Sequence, residues 1–173
     1  SQGACQGSPP YPREVAVDPK DMRDIVRRIP IFRGFTPPQT DRVLEVCEKF
    51  SAPKGHCLFR EGDSSTEMYI LLNGHLRVVT ATGAEIATIW EMGLVGEMGV
   101  LTDQPRSATV LADEDSELLC IRGDDLVRVI EADKDTGYRI YQNMTHVLCE
   151  RLRDNNILLE QQYLILEDLA GED

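Results

Sequence analysis

From Pro53 to about Arg122 the apolar residues fall in short alternating runs, each closed by turn-forming residues, and this restricts the segment to β structure. Pro53-Lys54-Gly55 and Glu61-Gly62-Asp63 bracket one strand. Strands at residues 68–72 and 76–80 flank Asn73-Gly74, a pair that predicts a tight hairpin. Thr82-Gly83 precedes a strand over residues 84–90, and the alternation resumes at 108–111 and 117–121. Short strands at this spacing point to an antiparallel roll or barrel. Helical periods lie on either side. Asp18-Pro19 opens a helix that sets Met22, Ile25, Val26 and Ile29 on one face, and Ile29-Pro30 closes it. Thr36-Pro37-Pro38-Gln39 matches a capping box and starts a second helix, with Val43, Leu44, Val46, Cys47 and Phe50 directed inward.

Beyond the strands, Gly123-Asp124-Asp125 begins a short helix, and a long helix is expected from roughly Thr136 to Leu169. Its apolar stripe, Leu148, Leu152, Asn155, Leu159, Gln162, Leu166 and Leu169, has the alternating spacing of a coiled-coil seam. Ile140, Met144 and Val147 form a separate patch suited to docking on the roll. The fold class expected is therefore α+β, mainly β: an antiparallel β-roll or jelly roll with two helices before it and a long helix after it. Residues 1–17, rich in Gly, Pro, Ser and Gln, read as a flexible tail. Residues 18–135 form the roll domain, and 136–173 a lid and dimerisation helix.

One stretch breaks the β pattern. Val95-Gly96-Glu97-Met98-Gly99-Val100-Leu101-Thr102-Asp103-Gln104-Pro105-Arg106-Ser107-Ala108-Thr109 sets a carboxylate and a guanidinium about nine residues apart, joined by a run able to form one helical turn. That layout suits a small ligand bearing both a hydroxyl and a phosphate. Gly96 lets backbone approach the ligand, and Glu97 can accept a sugar hydroxyl. The turn over 98–101 offers N–H groups to an anion. Arg106 can fork onto two phosphate oxygens, Ser107 can add a hydroxyl, and Pro105 fixes the backbone ahead of Arg106.

This segment resembles the phosphate-binding cassette of cyclic nucleotide-binding domains, the family of the bacterial catabolite activators and the protein kinase A regulatory subunits. The resemblance extends to Gly62-Asp63, Tyr69-Ile70 and Gly74, and covers about residues 29–156. It implies that Glu97 takes the ribose hydroxyl and Arg106 the cyclic phosphate. Gly96, Met98, Gly99, Ser107 and Ala108 fill the remaining cassette positions. It also implies that Asn155 and Asn156 on the long helix can reach the base. Asn155 has a second reading, as the polar seam residue that sets register in a two-stranded coil. The family binds without turnover, so a regulatory receptor and not an enzyme is expected, with cAMP favoured and cGMP open because Ser107 does not decide. The alternatives are a dimerisation module of the same fold without ligand affinity, or a cupin-like metal protein.

Bulk properties narrow the partners. Net charge is −12 with 18 Lys+Arg against 30 Asp+Glu, a field that repels nucleic acid and anionic membranes. The same field repels a nucleotide, so a local cation has to capture it. The cysteines, Cys5, Cys47, Cys57, Cys120 and Cys149, are odd in number and show no C-x-x-C spacing, which suits free thiols in a reducing, cytoplasmic compartment. No run approaches the roughly 18 apolar residues of a membrane span. His56, His75 and His146 stand apart without a His-x-His pair, which argues against a cupin-like metal protein. No resident cofactor or metal is expected. Partners expected are the cyclic nucleotide, a second copy through the long helix, and an effector that the sequence does not identify. The chain does not begin with Met, which suits a processed form or a fragment of something longer.

Overall fold

The computed structural model describes residues 14–16, 22 and 25–170. In chain order, β1 (Glu14–Ala16) precedes a 3-10 turn at Pro30–Phe32 and helix α1 (Pro37–Leu44). The strands follow: β2 (Cys47–Ala52), β3 (Cys57–Phe59), β4 (Glu67–Asn73), β5 (Leu76–Val79), β6 (Glu85–Ile89) and β7 (Leu94–Val95). Helix α2 (Glu97–Thr102) interrupts them before β8 (Thr109–Ala112) and β9 (Ser116–Arg122). Helices α3 (Gly123–Ala132) and α4 (Lys134–Ala170) complete the chain. The strands build two antiparallel sheets in the orders β1-β2-β9-β4-β7 and β3-β8-β5-β6. This is the mainly β α+β roll with a long final helix that the sequence predicts.

The larger sheet is buried on both faces, which explains the unbroken apolar runs of its central strands. In β4, Met68 and Ile70 join a cluster with Val26, Ile29, Leu44, Leu126, Ile140 and Met144, while Tyr69 and Leu71 face Leu58, Leu76 and Val110. In β9, Leu119 and Ile121 pack with the first group, and Leu118 and Cys120 with the second. The helices therefore cover one face and the smaller sheet the other. Ile140 and Met144 anchor α4 in this core as fully buried side chains.

Four local expectations need correction. The second helix ends at Leu44, and Cys47–Ala52 is strand β2. Its six-residue register with β9, Cys47 opposite Ile121 through Ala52 opposite Ser116, supplies a full ladder that outweighs further helical turns. Asn73-Gly74 makes no hairpin, because β4 and β5 lie in different sheets. Gly74, at φ +93°, instead turns the chain from one sheet to the other, where an added Cβ would lie 2.4 Å from Ser116 Oγ. Glu14–Ala16, expected in the flexible tail, pairs antiparallel with β2. Finally, Ile25 is partly exposed, whereas Met22, Val26 and Ile29 are buried. Cys5, and most of the expected tail and first helix, lie outside the described residues.

Candidate functional site

Strand β7 carries the chain along β4, with Tyr69 opposite Val95 and Ile70 opposite Leu94, up to the edge of a cavity. There Gly96 takes φ +83° and turns the backbone into α2. Asp103, also left-handed at φ 55°, ends that helix. The chain then returns through Pro105 to Arg106, whose backbone is pinned on both sides. Its amide donates to Asp63 O at 2.9 Å, and its carbonyl accepts from Gly62 at 2.8 Å. The Gly62-Asp63 turn thus fixes where Arg106 leaves the strand.

The cavity measures about 590 Å³ and is bounded by the cassette, by Phe59, Val78 and Val110 of the roll, by β6, and by α4. A volume of this order suits a small organic ligand. Gly96, Glu97, Met98, Gly99, Arg106, Ser107, Ala108 and Asn155 all line it. Asn156 does not: it is exposed on α4 one residue further round the helix. Gly99 has no room for a side chain, since an added Cβ would sit 1.8 Å from Ser65 Oγ.

Arg106 is 5% exposed. Its Nη1 donates to Gly96 O at 3.0 Å, its Nη2 donates to Glu67 O at 2.5 Å, and its Cζ lies 4.0 Å above the Phe59 ring. Its Nε has no hydrogen-bond partner among the described residues. Burial lowers its pKa, while the nearby Tyr69, Glu67, Asp63 and Glu97 favour the charge. A guanidinium remains protonated under such conditions. Among the described residues it forms no ion pair. The guanidinium is therefore oriented by two carbonyl groups, and among the described residues no carboxylate pairs with it directly.

Glu97 is 2% exposed and is already engaged. Arg151 of α4 donates from Nη1 to Glu97 Oε1 at 2.6 Å, and its Nη2 donates to Leu94 O. Burial raises the Glu97 pKa, with Arg151 opposing most strongly. The raised pKa has a definite sign in folding. The folded chain holds the Glu97 proton more firmly than the unfolded chain, so this stability is present below the unfolded pKa and is lost as pH rises through the folded one. Glu97→Gln cannot ionise, and the pair with Arg151, which needs the ionised carboxylate, is already counted within the net raised pKa of the wild-type chain. The variant should gain stability relative to wild type as pH rises above the ordinary glutamate range, where the wild-type chain gives up its more firmly held proton. Urea denaturation of both proteins across a pH series checks this, and a difference independent of pH would contradict it.

Sequence reasoning did not assign a site role to Arg151 or Asp154, both of which line the cavity. A signal was available. Arg151 lies four residues before Asn155 and Asp154 three after Arg151, so a helix that presents Asn155 to the cavity presents its neighbours as well. Among the described residues no three His, Cys, Asp or Glu side chains gather in a group that could hold a metal.

Comparison with known proteins extends this description. The family model of the cyclic nucleotide-binding domain matches residues 49–133. The Cyclic AMP receptor protein of Thermus thermophilus is 30% identical over 135 residues, covering 76% of this chain and 61% of the receptor. The crystal structure of the Thermus thermophilus catabolite activator protein superposes with a TM-score of 0.65 at 29% identity, covering 76% of this chain and 62% of that one. A cyclic nucleotide-binding domain from Methylobacillus flagellatus superposes with a TM-score of 0.72 at 22% identity, covering 82% and 83% of the two chains. The chain thus spans less than two thirds of the length of its receptor relative. No described helix is long and apolar enough to cross a membrane.

Proposed function

Because the chain carries a domain of the cyclic nucleotide-binding family, of the catabolite activator and kinase regulatory subunit type, we propose that its cavity receives a cyclic nucleotide and that the protein is a regulatory receptor. One observation carries this reading: Arg106 is a buried cation facing the cavity that, among the described residues, has no direct ion-pair partner. A cyclic phosphate supplies the missing charge and finds Ser107, Ala108 and the backbone from Gly96 to Gly99 around it. Glu97 accepts the ribose hydroxyl, and Asn155 approaches the base from α4. Asn156 faces away within one chain and keeps a base-contacting role only by way of a second copy. In this reading the protein binds without turnover: among the described residues the carboxylates lining the cavity are Glu97, which is held by Arg151, and Asp154 on α4, and no metal-ligand cluster accompanies them.

The ligand is cAMP in this reading. Relatives named for cAMP include the Thermus receptor and the cAMP-dependent protein kinase regulatory subunit of Colletotrichum orbiculare, 27% identical over 93 residues. Asp154 favours a second reading. It lines the cavity beside Asn155, and a carboxylate offers two acceptors to the N1–H and N2–H edge of guanine. Calorimetric titration with each nucleotide decides between them, and Asp154→Asn should weaken cGMP selectively if guanine is the natural base. Binding of neither would leave the dimerisation module as the function.

Arg151 provides a route from ligand to helix. It holds α4 to the cassette through Leu94 O and through the Glu97 carboxylate, which the ribose would also engage. A ligand that repartitions this contact shifts α4 between two seatings, provided its affinity differs between them. Arg151→Ala should still bind nucleotide but lose the nucleotide-dependent change in amide exchange along α4. An undiminished change would show that the coupling runs elsewhere.

Residues 18–135 act in this scheme as sensor and 136–173 as lid and dimer helix, in a cytoplasmic protein. The exposed seam residues Leu152, Leu159 and Leu166 support a homodimer.

A further inference from the structure

Past Asn155, which still lines the cavity, α4 extends beyond the roll, and every residue from Leu152 to Glu167 is exposed. The seam accounts for only part of its apolar surface. Ile157, Leu158, Leu164 and Ile165 are also exposed. At 3.6 residues per turn these four form a stripe centred on Gln161, on the side of the helix opposite Leu152, Leu159 and Leu166. A two-stranded coil formed through the seam leaves such a stripe facing outward. Four aliphatic side chains in two pairs a heptad apart differ from scattered surface hydrophobics.

The frame of the stripe is mainly acidic, with Arg153 at its N-terminal end as the exception. Asp154 stands at its start, and Glu160 and Glu167 run along one edge. From Asp154 to Asp173 the sequence contains no Lys or Arg, within a chain of net charge −12. A second copy meeting this face would bring like charges together across the contact, which disfavours self-association. A cationic partner reverses that sign. Asp154 and Leu158 also lie on the side of α4 that turns toward the cavity, so whatever docks here sits one helical turn from the ligand.

We propose that this second face of α4 docks a basic amphipathic helix of another protein, with Leu or Ile along one side and Lys or Arg flanking it. The occupant is distinct from the second copy engaged by the seam.

The probe is a fluorescein-labelled synthetic helix with leucines at heptad spacing flanked by lysines, alongside the same peptide with glutamates in place of lysines. Fluorescence anisotropy against the full chain should show binding of the lysine peptide, weakening with salt, and none of the glutamate peptide. The double variant Ile157→Asn/Leu164→Asn should bind the lysine peptide about tenfold or more weakly. Its melting temperature should stay unchanged, because both side chains are solvent-exposed. Leu159→Asn, on the seam, should leave peptide binding intact. Equal binding by the double variant overturns the proposal, as does equal binding of the two peptides or a comparable loss in Leu159→Asn. Sedimentation showing species beyond a dimer, dissolved by the double variant, also overturns it by making a second copy the occupant.

Discussion

Arg106→Leu should lose about 2–5 kcal/mol of nucleotide binding, at least about thirtyfold in Kd, when cAMP is titrated by calorimetry. The size follows from burial. At 5% exposure the guanidinium exchanges little with water, so a phosphate placed against it meets a weakly screened charge. Leucine keeps the apolar contact with Phe59 but provides no donor, leaving Gly96 O and Glu67 O without the hydrogen bonds they now accept. The unliganded variant should therefore also melt earlier, through the loss of two hydrogen bonds donated by a charged group, although Gly96 O keeps its contact with Val100 N. Arg106→Lys separates the two effects: it retains the charge but loses the fork, so its affinity should fall between wild type and Leu. An unchanged affinity in Arg106→Leu would remove the phosphate from this part of the cavity.

Gly96→Ala is the other large expected effect. Gly96 holds φ +83°, and an added Cβ would lie 2.5 Å from Arg106 Nη1 and 3.0 Å from Glu67 O. The methyl group adds backbone strain and also displaces the guanidinium from its two carbonyl acceptors. Strain of this kind costs about 1–3 kcal/mol of stability. Nucleotide affinity should fall as well, since the cation no longer points where the cavity needs it. Chemical denaturation of the unliganded variant measures the first effect and calorimetry the second. A variant that loses stability but binds normally would show that the guanidinium finds an equivalent seat without Gly96.

The parts of the site that were legible in the sequence are those contiguous along it. Gly96 to Ala108 carry their spacing with them, and the fold brings Glu97 and Arg106 to one cavity as that spacing implies. The Arg151–Glu97 pair joins residues 54 apart, so only a helix register could have revealed it. Strand β2 was misread because Val43, Leu44, Val46, Cys47 and Phe50 suit either period, and the pairing with β9 that decides the matter is remote in sequence. Gly74 takes a positive φ at a corner of the chain, yet local chemistry does not say whether such a corner closes a hairpin or passes between sheets. The central strands were easier, since burial on both faces leaves them almost continuously apolar.

A melting curve with and without cyclic nucleotide tests the central claim most directly. A ligand at about a hundred times its Kd stabilises the folded state by about 2.7 kcal/mol, a rise of about 5–10 °C for a chain of this length. The expected result is such a rise with cAMP or cGMP in the wild-type protein, and a much smaller one in Arg106→Leu at the same concentration. No rise with either nucleotide, even at millimolar concentration, would contradict the assignment of this cavity to a cyclic sugar-phosphate.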